Sequence, residues 1–361
     1  MNNDGIDWDF CYLGRRPMDE KDVDIYPGIV SAGYSYWTCG YIINISGMTK
    51  IINSNIMKNI IFLCLIFNIN IFSQDNIKYS KSILKKDLEK HLIILASDSL
   101  EGRETGKKGQ KMAAEYLKNH FINIGIPPYK KNKYFQKFKV KSDRHVCKCE
   151  DCDSDFIKKI FKKNKVIKGE NVLGYIEGSD LKDELIIITA HYDHLGKHDT
   201  LLFNGADDDG SGTVGIMEIA EAFMLAKKDG KGPRRSILIM PVSGEEKGLL
   251  GSKYYTDNPI FPLKNTIANL NIDMIGRIDN MHIDGNYVYL IGSDMLSKEL
   301  HNISEEINKK YIGLELDYTY NMEDDPHRYY YRSDHYNFAK NNIPVIFYFN
   351  GVHEDYHKTT D

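Results

Sequence analysis

Residues 184–212 read ELIIITAHYDHLGKHDTLLFNGADDDGSG, and this stretch decides the fold prediction. Its first part, 185–189, is a continuous apolar run rich in β-branched residues, which is typical of a strand buried on both faces of a sheet. The run is followed at once by HYDH, residues 191–194, so imidazoles and a carboxylate stand where the strand ends. We therefore expect a polar site at the point where this strand leaves the core.

Three consecutive acids stand between glycines in the same stretch. They are Asp207, Asp208 and Asp209, within the sequence GADDDGSG, and an apolar helical pattern follows over 213–226. Carboxylates this close repel one another unless a cation neutralises them, and the flanking glycines allow tight backbone conformations around that cation. A bound divalent metal ion is the simplest explanation.

The rest of the chain alternates between strand and helix patterns. Further strands are predicted at 134–140, 171–176, 236–240, 267–272, 287–291 and 344–349, the first two as an antiparallel edge. Helices are predicted at 84–94, 109–124, 213–227, 297–309 and 334–341. This alternation predicts an α/β fold, a three-layer α/β/α sandwich around a mixed, mainly parallel sheet.

Composition and targeting signals set the expected domain organisation. The 361 residues are 42% hydrophobic, which is enough for a large core, and the net charge of -4 gives no reason to expect a nucleic-acid partner. Residues 57–73 have the basic start, short apolar run and small-residue end of a signal peptide, with a buried core strand or helix as the alternative. We therefore expect 1–56 to be a non-native or disordered extension and 74–361 to be one domain, with truncation after Asp361 left open.

Two consequences follow from the signal-peptide interpretation. The apolar run is short for a membrane span, so no stable span is expected after cleavage, and the protein is predicted to be secreted or periplasmic.

A Cys/Lys-rich insertion at about 141–168 contains Cys147, Cys149 and Cys152. No fourth Cys or His has fitting spacing for a metal, a disulfide is equally natural in an exported protein, and we interpret the insertion as structural or incidental surface.

Metal-type side chains follow four separate predicted strands. They are His191, the pair Glu245 and Glu246, Asp273, and the His-containing loop 353–357. In open α/β sheets, ligand sites collect at the carboxyl ends of strands. Imidazole and carboxylate are donors that zinc accepts, and a bridging carboxylate allows two ions to share one water. One glutamate of the pair could then be a ligand and the other a general base.

Six motifs in the same order resemble the M28 family of co-catalytic zinc aminopeptidases and carboxypeptidases. They are HYDHLG, GADDDGSG, SGEEKGLLGS, NIDMIGR, RSDHYNFAKNNIPV and HEDYHKTTD. In addition, LASDSLEGRETGKKG at 95–109 resembles the segment that precedes the catalytic domain in many bacterial members. The resemblance runs from about Leu84 to the end of the chain and implies a phosphorylase/hydrolase-like α/β/α fold with two Zn²⁺ ions.

The resemblance implies a ligand set for both ions. His191 and Asp273 would hold the first zinc, Glu246 and His357 would hold the second, and Asp208 would bridge them. Each of these residues takes the position of a family ligand within its motif.

Further roles come from the same resemblance. Glu245 would be the general base that moves a proton from the bridging water to the leaving amine. Asp193 would orient His191 as an outer partner of that ligand. The family also implies a cis peptide between Asp208 and Asp209.

The substrate side of the site is less sharply defined. Tyr330 stands three residues before the Ser-Asp-His of the fifth motif, where some members place a tyrosine that supports the tetrahedral intermediate, although Tyr329 and Tyr331 leave that alignment open. Asp334 and His335 either fix the site wall or cap a helix.

The remaining polar residues near the motifs have plainer interpretations. We take Asp207 and Asp209 as loop acids or helix caps. His194, His198 and His353 have no ligand position in the pattern, so we interpret them as pocket or surface residues.

The sequence therefore predicts a secreted or periplasmic di-zinc exopeptidase that attacks a peptide bond with a metal-bridging hydroxide. An aminopeptidase acting on a peptide or protein substrate is favoured, with a carboxypeptidase left open. The alternatives are a glutaminyl cyclase-like zinc acyltransferase and a non-catalytic binding module on the same fold. The full set of five ligands argues against both alternatives.

Overall fold

The computed structural model describes residues 77–141 and 166–361, together with short strands among the first 42 residues. The chain divides into two compact units, Met1–Gln74 and Asp75–Asp361. The first contains β1 (Cys11–Tyr12), β2 (Asp24–Tyr26), β3 (Ile29–Val30) and β4 (Tyr41–Ile42), with β1 paired to β4 and β2 to β3, both antiparallel. The predicted signal peptide at 57–73, most of the 1–56 extension and the cysteine cluster lie outside the described residues, so those interpretations stay predictions.

Within the described residues, the second unit contains eleven further strands, a helical stretch at 77–80 and, from Lys85 on, six α-helices. The strands are β5 (Phe135–Lys141), β6 (Val166–Val172), β7 (Gly174–Ile176), β8 (Leu181–His191), β9 (Gly196–His198), β10 (Leu201–Phe203), β11 (Arg235–Val242), β12 (Thr266–Ile272), β13 (Tyr287–Ile291), β14 (Glu315–Asp317) and β15 (Val345–Phe349). The helices are α1 (Lys85–Leu95), α2 (Lys108–Asn123), α3 (Gly212–Lys228), α4 (Leu250–Asp257), α5 (Lys298–Ile307) and α6 (His335–Ala339).

Seven of these strands form one mixed sheet in the order β14-β13-β15-β12-β8-β11-β7. The four strands β15, β12, β8 and β11 are parallel neighbours, and β13 is parallel to β14. Antiparallel pairing occurs where β13 meets β15 and where the edge strand β7 meets β11. The predicted mixed, mainly parallel sheet is therefore confirmed. The segment expected as one strand at 171–176 is divided between β6, which pairs with β5 outside this sheet, and β7.

The central strand β8 is buried on both faces, as its apolar run predicts. Side chains alternate between the two faces of a strand. Ile186 and Ile188 pack into the cluster formed with α1, α2 and α3, whereas Leu185 and Ile187 pack into the cluster that contains Tyr255 of α4 and others from α6. This alternation explains why residues 185–188 of the strand are all apolar.

The helices cover both faces of the sheet and give the three-layer arrangement. On one face, Leu117 of α2 and Met217 of α3 pack against strand residues such as Ile239. On the other face, Phe338 of α6 packs against residues that include Leu238. No helix in the described part of the chain has both the length and the apolar composition needed to cross a membrane. Because β8, β11, β12 and β15 run parallel, their carboxyl ends meet at one edge of the sheet, where the loops described next converge.

Candidate metal centre

The predicted site residues come from the loops at the carboxyl edge of the sheet. His191 is the last residue of β8, and Asp273 directly follows β12. Glu245 and Glu246 stand shortly after β11, beyond Gly244, whose φ of 88° turns the chain. His357 lies in the loop after β15. The positions follow from strand order, since four parallel strand ends place their loops side by side.

The first group of donors surrounds His191. Its Nε2 atom lies 3.1 Å from Oδ1 of Asp208 and 3.5 Å from Oδ1 of Asp273. All three side chains are buried, and one donor atom from each lies close enough to the others to hold a single metal ion. An imidazole with two carboxylates is a donor set that zinc accepts, and three protein ligands leave a position for water or substrate.

The second group uses the other oxygen of Asp208. Oδ2 of Asp208 lies 3.0 Å from Nε2 of His357, and the same nitrogen lies 3.5 Å from Oε2 of Glu246. Nδ1 of His194 lies 2.8 Å from Oε1 of Glu246, and His194, Asp208 and Glu246 can also hold one ion. The structure thus brings all five predicted ligands together, with one oxygen of Asp208 facing each group. Their roles as ligands stay predictions.

Within the acid triplet, Asp209 makes backbone contacts that differ from the metal-facing position of Asp208. The peptide between Asp208 and Asp209 is cis, as the family resemblance implies. Asp209 accepts hydrogen bonds from the backbone N–H groups of His191, Gly212 and Met274, at 2.9–3.0 Å. Its carboxylate therefore ties β8, the start of α3 and the end of β12 together, which agrees with its interpretation as a loop acid.

Asp207 and Asp361 fix the triplet from the other side. Oδ1 of Asp207 accepts a hydrogen bond of 2.6 Å from the N–H of Gly276, and its Oδ2 lies 3.2 Å from Nε2 of His353. The carboxylate of Asp361 accepts from the N–H groups of Asp207 and Asp208 at 3.1 and 3.4 Å. These bonds set the backbone from which the carboxylate of Asp208 projects.

The orientation of His191 depends on backbone as well as on side chains. Its Nδ1 lies 3.0 Å from the carbonyl oxygen of Asp193 and 3.9 Å from Oδ1 of the same residue. The carboxylate of Asp193 accepts hydrogen bonds from Oγ1 of Thr105, at 2.6 Å, and from the N–H of Glu245, at 3.3 Å. Asp193 therefore fixes the backbone of Glu245 while its carbonyl faces His191.

A chain of buried hydroxyl and amide groups holds Asp273. Oγ of Ser333 donates to Oδ2 of Asp273 at 2.6 Å, and Nδ2 of Asn271 donates to Ser333 at 2.8 Å. Asn271 in turn accepts from Oγ1 of Thr189 at 2.6 Å. These hydrogen bonds engage Oδ2 of Asp273, so its Oδ1 faces the first group.

A buried arginine supports the loops of both groups. Arg103 is 1% exposed and donates hydrogen bonds of 2.6–2.8 Å to four carbonyl oxygens. Those of Tyr192 and Gly205 belong to the loops that carry the predicted ligands, and the other two belong to Leu95 and Asn204. Its positive charge thus lies behind the acidic cluster.

The pKa values of two site carboxylates, Asp208 and Glu245, are shifted in opposite directions. Burial raises the pKa of Asp208, but the imidazoles of His191, His194 and His357 outweigh burial and hold the pKa well below its usual range. Burial, with help from Glu246, raises the pKa of Glu245 well above its usual range. Glu245 is therefore a carboxylate that readily holds a proton, as a general base must once it has accepted one.

A cavity opens beside the first group. Its polar wall includes His191, Asp208, Glu245, Asp273, Arg332 and Ser333. Its apolar wall includes Met274, Tyr329, Phe347, Phe349, Val352 and Tyr356. Glu245 therefore shares one cavity with the residues of the first group, as a general base must.

The three predicted substrate residues lie around rather than in this wall. Tyr329 lines the cavity, whereas the ring of Tyr330 packs against those of Tyr331 and His335. His335 is fully buried and stacks on Phe347 at 4.7 Å between centroids. Asp334 is fully buried and accepts a short hydrogen bond from Ser252, and its side chain makes no helix-cap bond to α6. Contact of these residues with substrate stays a prediction.

Sequence reasoning missed several supporting residues. It assigned no role to Arg103 or Thr105, yet both side chains contact the site loops. The available signal was the motif GRETG, which the resemblance singled out without assigning roles. It also interpreted His194 as a pocket or surface residue, and the structure buries that side chain completely.

Comparison with known proteins gives a family match. A model described as "Peptidase family M28" matches residues 171–361, which is more than half of the chain. A "Probable glutamate carboxypeptidase LAMP1" of Arabidopsis thaliana is 37% identical over 109 residues, covering 30% of this chain and 15% of that protein. A "Probable zinc metalloprotease" of Pyrenophora tritici-repentis is 40% identical over 114 residues, covering 29% and 22%. The chain thus spans less than a quarter of either relative.

Solved structures share the fold at low sequence identity. The LapA aminopeptidase of Legionella pneumophila has a TM-score of 0.58 at 22% identity and covers 81% of this chain and 69% of that one. A zinc aminopeptidase from Bacillus subtilis has a TM-score of 0.54 at 15% identity, covering 76% and 88%. The glutaminyl cyclase of Porphyromonas gingivalis has a TM-score of 0.52 at 17% identity, covering 77% and 90%. These likenesses confirm the predicted fold class.

Proposed function

This chain belongs to peptidase family M28, and we propose that it is a di-zinc exopeptidase, in the first place an aminopeptidase. The observation that carries the proposal is the position of Asp208. Its two carboxylate oxygens face two separate donor groups, one with His191 and Asp273 and the other with Glu246 and His357. A carboxylate shared in this way is what a pair of adjacent ions requires.

The chemistry divides between the ions and the side chains of the chain. When bound, zinc supplies a Lewis acid for the scissile carbonyl and lowers the pKa of water to about 7. Glu245 lies in the same cavity, is buried, and has a raised pKa. Its carboxylate accepts a proton from the attacking water and donates it to the leaving amine. Asp193 holds the N–H of Glu245 and so helps to set the position of this base.

The cavity wall favours an apolar side chain on the substrate. Met274, Phe347, Phe349 and Val352 line it close to the first donor group. Burying a leucine or phenylalanine side chain there gains about 1.5–3 kcal/mol, whereas the ammonium of a lysine would lose its contact with water. We therefore expect terminal leucine or phenylalanine to be preferred over lysine.

A carboxypeptidase is the second candidate because of Arg332. Arg332 lines the cavity, and its Cζ atom lies 5.0 Å from the centroid of the Tyr329 ring. An arginine in this place can bind a substrate carboxylate through two parallel hydrogen bonds. The name of the Arabidopsis relative points the same way, whereas the names of the solved aminopeptidases point to the first candidate.

Metal analysis combined with a substrate panel tests the proposal. Wild-type protein, Glu245→Gln and the exposed control Glu299→Gln would be assayed with aminoacyl anilides, N-acetylated aminoacyl anilides and N-acyl dipeptides. We expect about two zinc ions per chain in all three proteins, cleavage of the free-amine anilides, and a loss of about 10²–10⁴-fold in kcat for Glu245→Gln.

The panel also separates the competing functions. Cleavage of N-acyl dipeptides instead of anilides would indicate the carboxypeptidase. A peptide with N-terminal glutamine completes the panel, and its cyclisation with one zinc per chain would indicate the glutaminyl cyclase-like enzyme. Zinc-free protein without turnover would refute the peptidase proposal and leave a binding module.

We also propose that the protein is exported, as a secreted or periplasmic enzyme. The support is the sequence pattern at 57–73, with its lysine, apolar run and small-residue end. Fusion of residues 57–80 to a reporter that is active only outside the cytoplasm tests this proposal. Reporter activity equal to that of an unfused control would refute it.

A further inference from the structure

One imidazole at the site has no role in the five-ligand set. His194 is fully buried, and neither of its ring nitrogens makes a hydrogen bond of acceptable geometry to any described residue. A buried imidazole without a well-aligned hydrogen bond is costly, because its polar nitrogens have lost their contact with water. The side chain is aimed at the second donor group, with Nδ1 2.8 Å from Oε1 of Glu246 and 3.8 Å from Oδ2 of Asp208.

The backbone makes room for this ring. Gly205 has a φ of 59°, and a Cβ atom placed on it would lie 2.3 Å from Cγ of His194 and 2.2 Å from the carbonyl oxygen of Asp208. Only a glycine fits there, since both the left-handed conformation and the space exclude a side chain. Gly205, which begins the acid loop, therefore leaves the space that the imidazole of His194 occupies.

Two imidazoles, those of His194 and His357, lie near the carboxylates of Asp208 and Glu246. Nε2 of His357 lies 3.0 Å from Asp208 and 3.5 Å from Glu246, and Nδ1 of His194 lies 2.8 Å and 3.8 Å from oxygens of the same two residues. Around a tetrahedral zinc with bonds of about 2.0–2.1 Å, ligand atoms lie roughly 3.3–3.4 Å apart. The four nitrogen–oxygen distances, in which His194 faces Oε1 of Glu246 and His357 faces Oε2, lie on both sides of that value.

We propose that His194 is a fourth protein ligand of the second ion, together with Asp208, Glu246 and His357. This inference rests on the proposed di-zinc function and adds a ligand that the family resemblance does not include. The second ion then has a complete protein shell, whereas the first has three protein ligands and an open position. Substrate therefore binds at the first ion, which is also the ion beside the cavity.

X-ray absorption at the zinc edge tests the ligand directly. Full-length protein would be loaded with zinc sulfate, its metal content measured, and the number of imidazoles per zinc determined. With His194 bound, three imidazoles serve two ions, namely those of residues 191, 194 and 357. Without it, two imidazoles serve two ions. The wild-type measurement decides the matter even if a variant fails to fold.

Two variants extend the test. His194→Ala should lose one imidazole per pair of ions. In a competition titration with a chelator, the affinity for the second zinc ion should fall by at least about 100-fold, which is more than the loss of an outer partner of a ligand usually costs. His301→Ala is the control, because His301 lies in α5 and contacts Ser293, and neither residue belongs to the two donor groups. It should leave both quantities unchanged.

The outcomes separate this inference from the proposed function. Two zinc ions with two imidazoles in wild-type protein, or an unchanged imidazole number in His194→Ala, overturns the fourth ligand and leaves the di-zinc peptidase in place. Failure of wild-type protein to retain zinc overturns both.

Discussion

Replacing Gly205 by alanine should destabilise the protein far more than the same change at a comparable surface glycine. The new Cβ atom would lie 2.2 Å from the carbonyl oxygen of Asp208 and 2.3 Å from Cγ of His194. One of these contacts is backbone in the acid loop, so a simple side-chain rotation cannot relieve both. The ring of His194 or the loop itself must move.

The magnitude has two parts. A non-glycine residue in the left-handed region costs about 1–2 kcal/mol. Forcing an extra methyl group into a filled site costs about 1–3 kcal/mol more. Gly205→Ala should therefore lower the free energy of unfolding by about 2–5 kcal/mol. Gly230 is the matched control, because its φ is 72° and no atom lies within 4 Å of its Cβ position. Gly230→Ala should show the first cost alone.

Urea unfolding of metal-free protein measures both variants, because bound metal would add its own contribution to stability. A chelator titration then measures zinc affinity, which should fall in Gly205→Ala and stay unchanged in Gly230→Ala. Equal losses of unfolding free energy in the two variants would refute the steric argument, and unchanged zinc affinity would show that the loop does not depend on this contact.

Two further predictions concern groups outside the donor set. Arg103→Met removes four hydrogen bonds and the positive charge beside the acidic cluster, so the free energy of unfolding measured in urea should fall by about 3–5 kcal/mol. Exposed Lys107→Met is the control and should change it negligibly. A loss below about 1 kcal/mol in Arg103→Met would contradict this role. Burial raises the pKa of Glu218 from 4.5 to about 7, so the stability from this group is fully present below pH 4.5 and is lost as the pH rises through 7. Glu218→Gln removes that loss, and its stability relative to wild type should improve by about 3 kcal/mol between pH 4.5 and pH 8, because each pKa unit corresponds to about 1.36 kcal/mol. Exposed Glu89→Gln should show no such change. Urea unfolding at the two pH values measures it, and a flat difference for Glu218→Gln would refute the assigned pKa.

The sequence predicts those parts of the molecule whose pattern is long and periodic. The apolar run at 185–189 predicts β8 because both of its faces are buried, and α3 follows from the long apolar spacing after the acid triplet. The predicted ligands converge because parallel strand ends share one edge. By contrast, β14 has three residues and α4 contains mostly polar ones, so neither has a periodic signal of its own.

Other features depend on contacts between distant residues. Whether His194 points into the site is decided by the left-handed turn at Gly205, eleven residues further along the chain. The support from Arg103 depends on the packing of the 98–103 turn against loops about ninety or a hundred residues away. The choice between Tyr329 and Tyr330 at the cavity depends on the local turn at 329–331, because adjacent residues point in different directions there.

The position of β15 has a consequence for how the chain is made. This strand comes last among the described strands, yet it lies between β12 and β13 in the interior of the sheet. A ribosome-bound chain that has emerged only as far as residue 343 therefore presents two strand edges with unpaired backbone groups. Such edges attract other chains, so we expect the nascent polypeptide to depend on chaperones until 345–349 inserts.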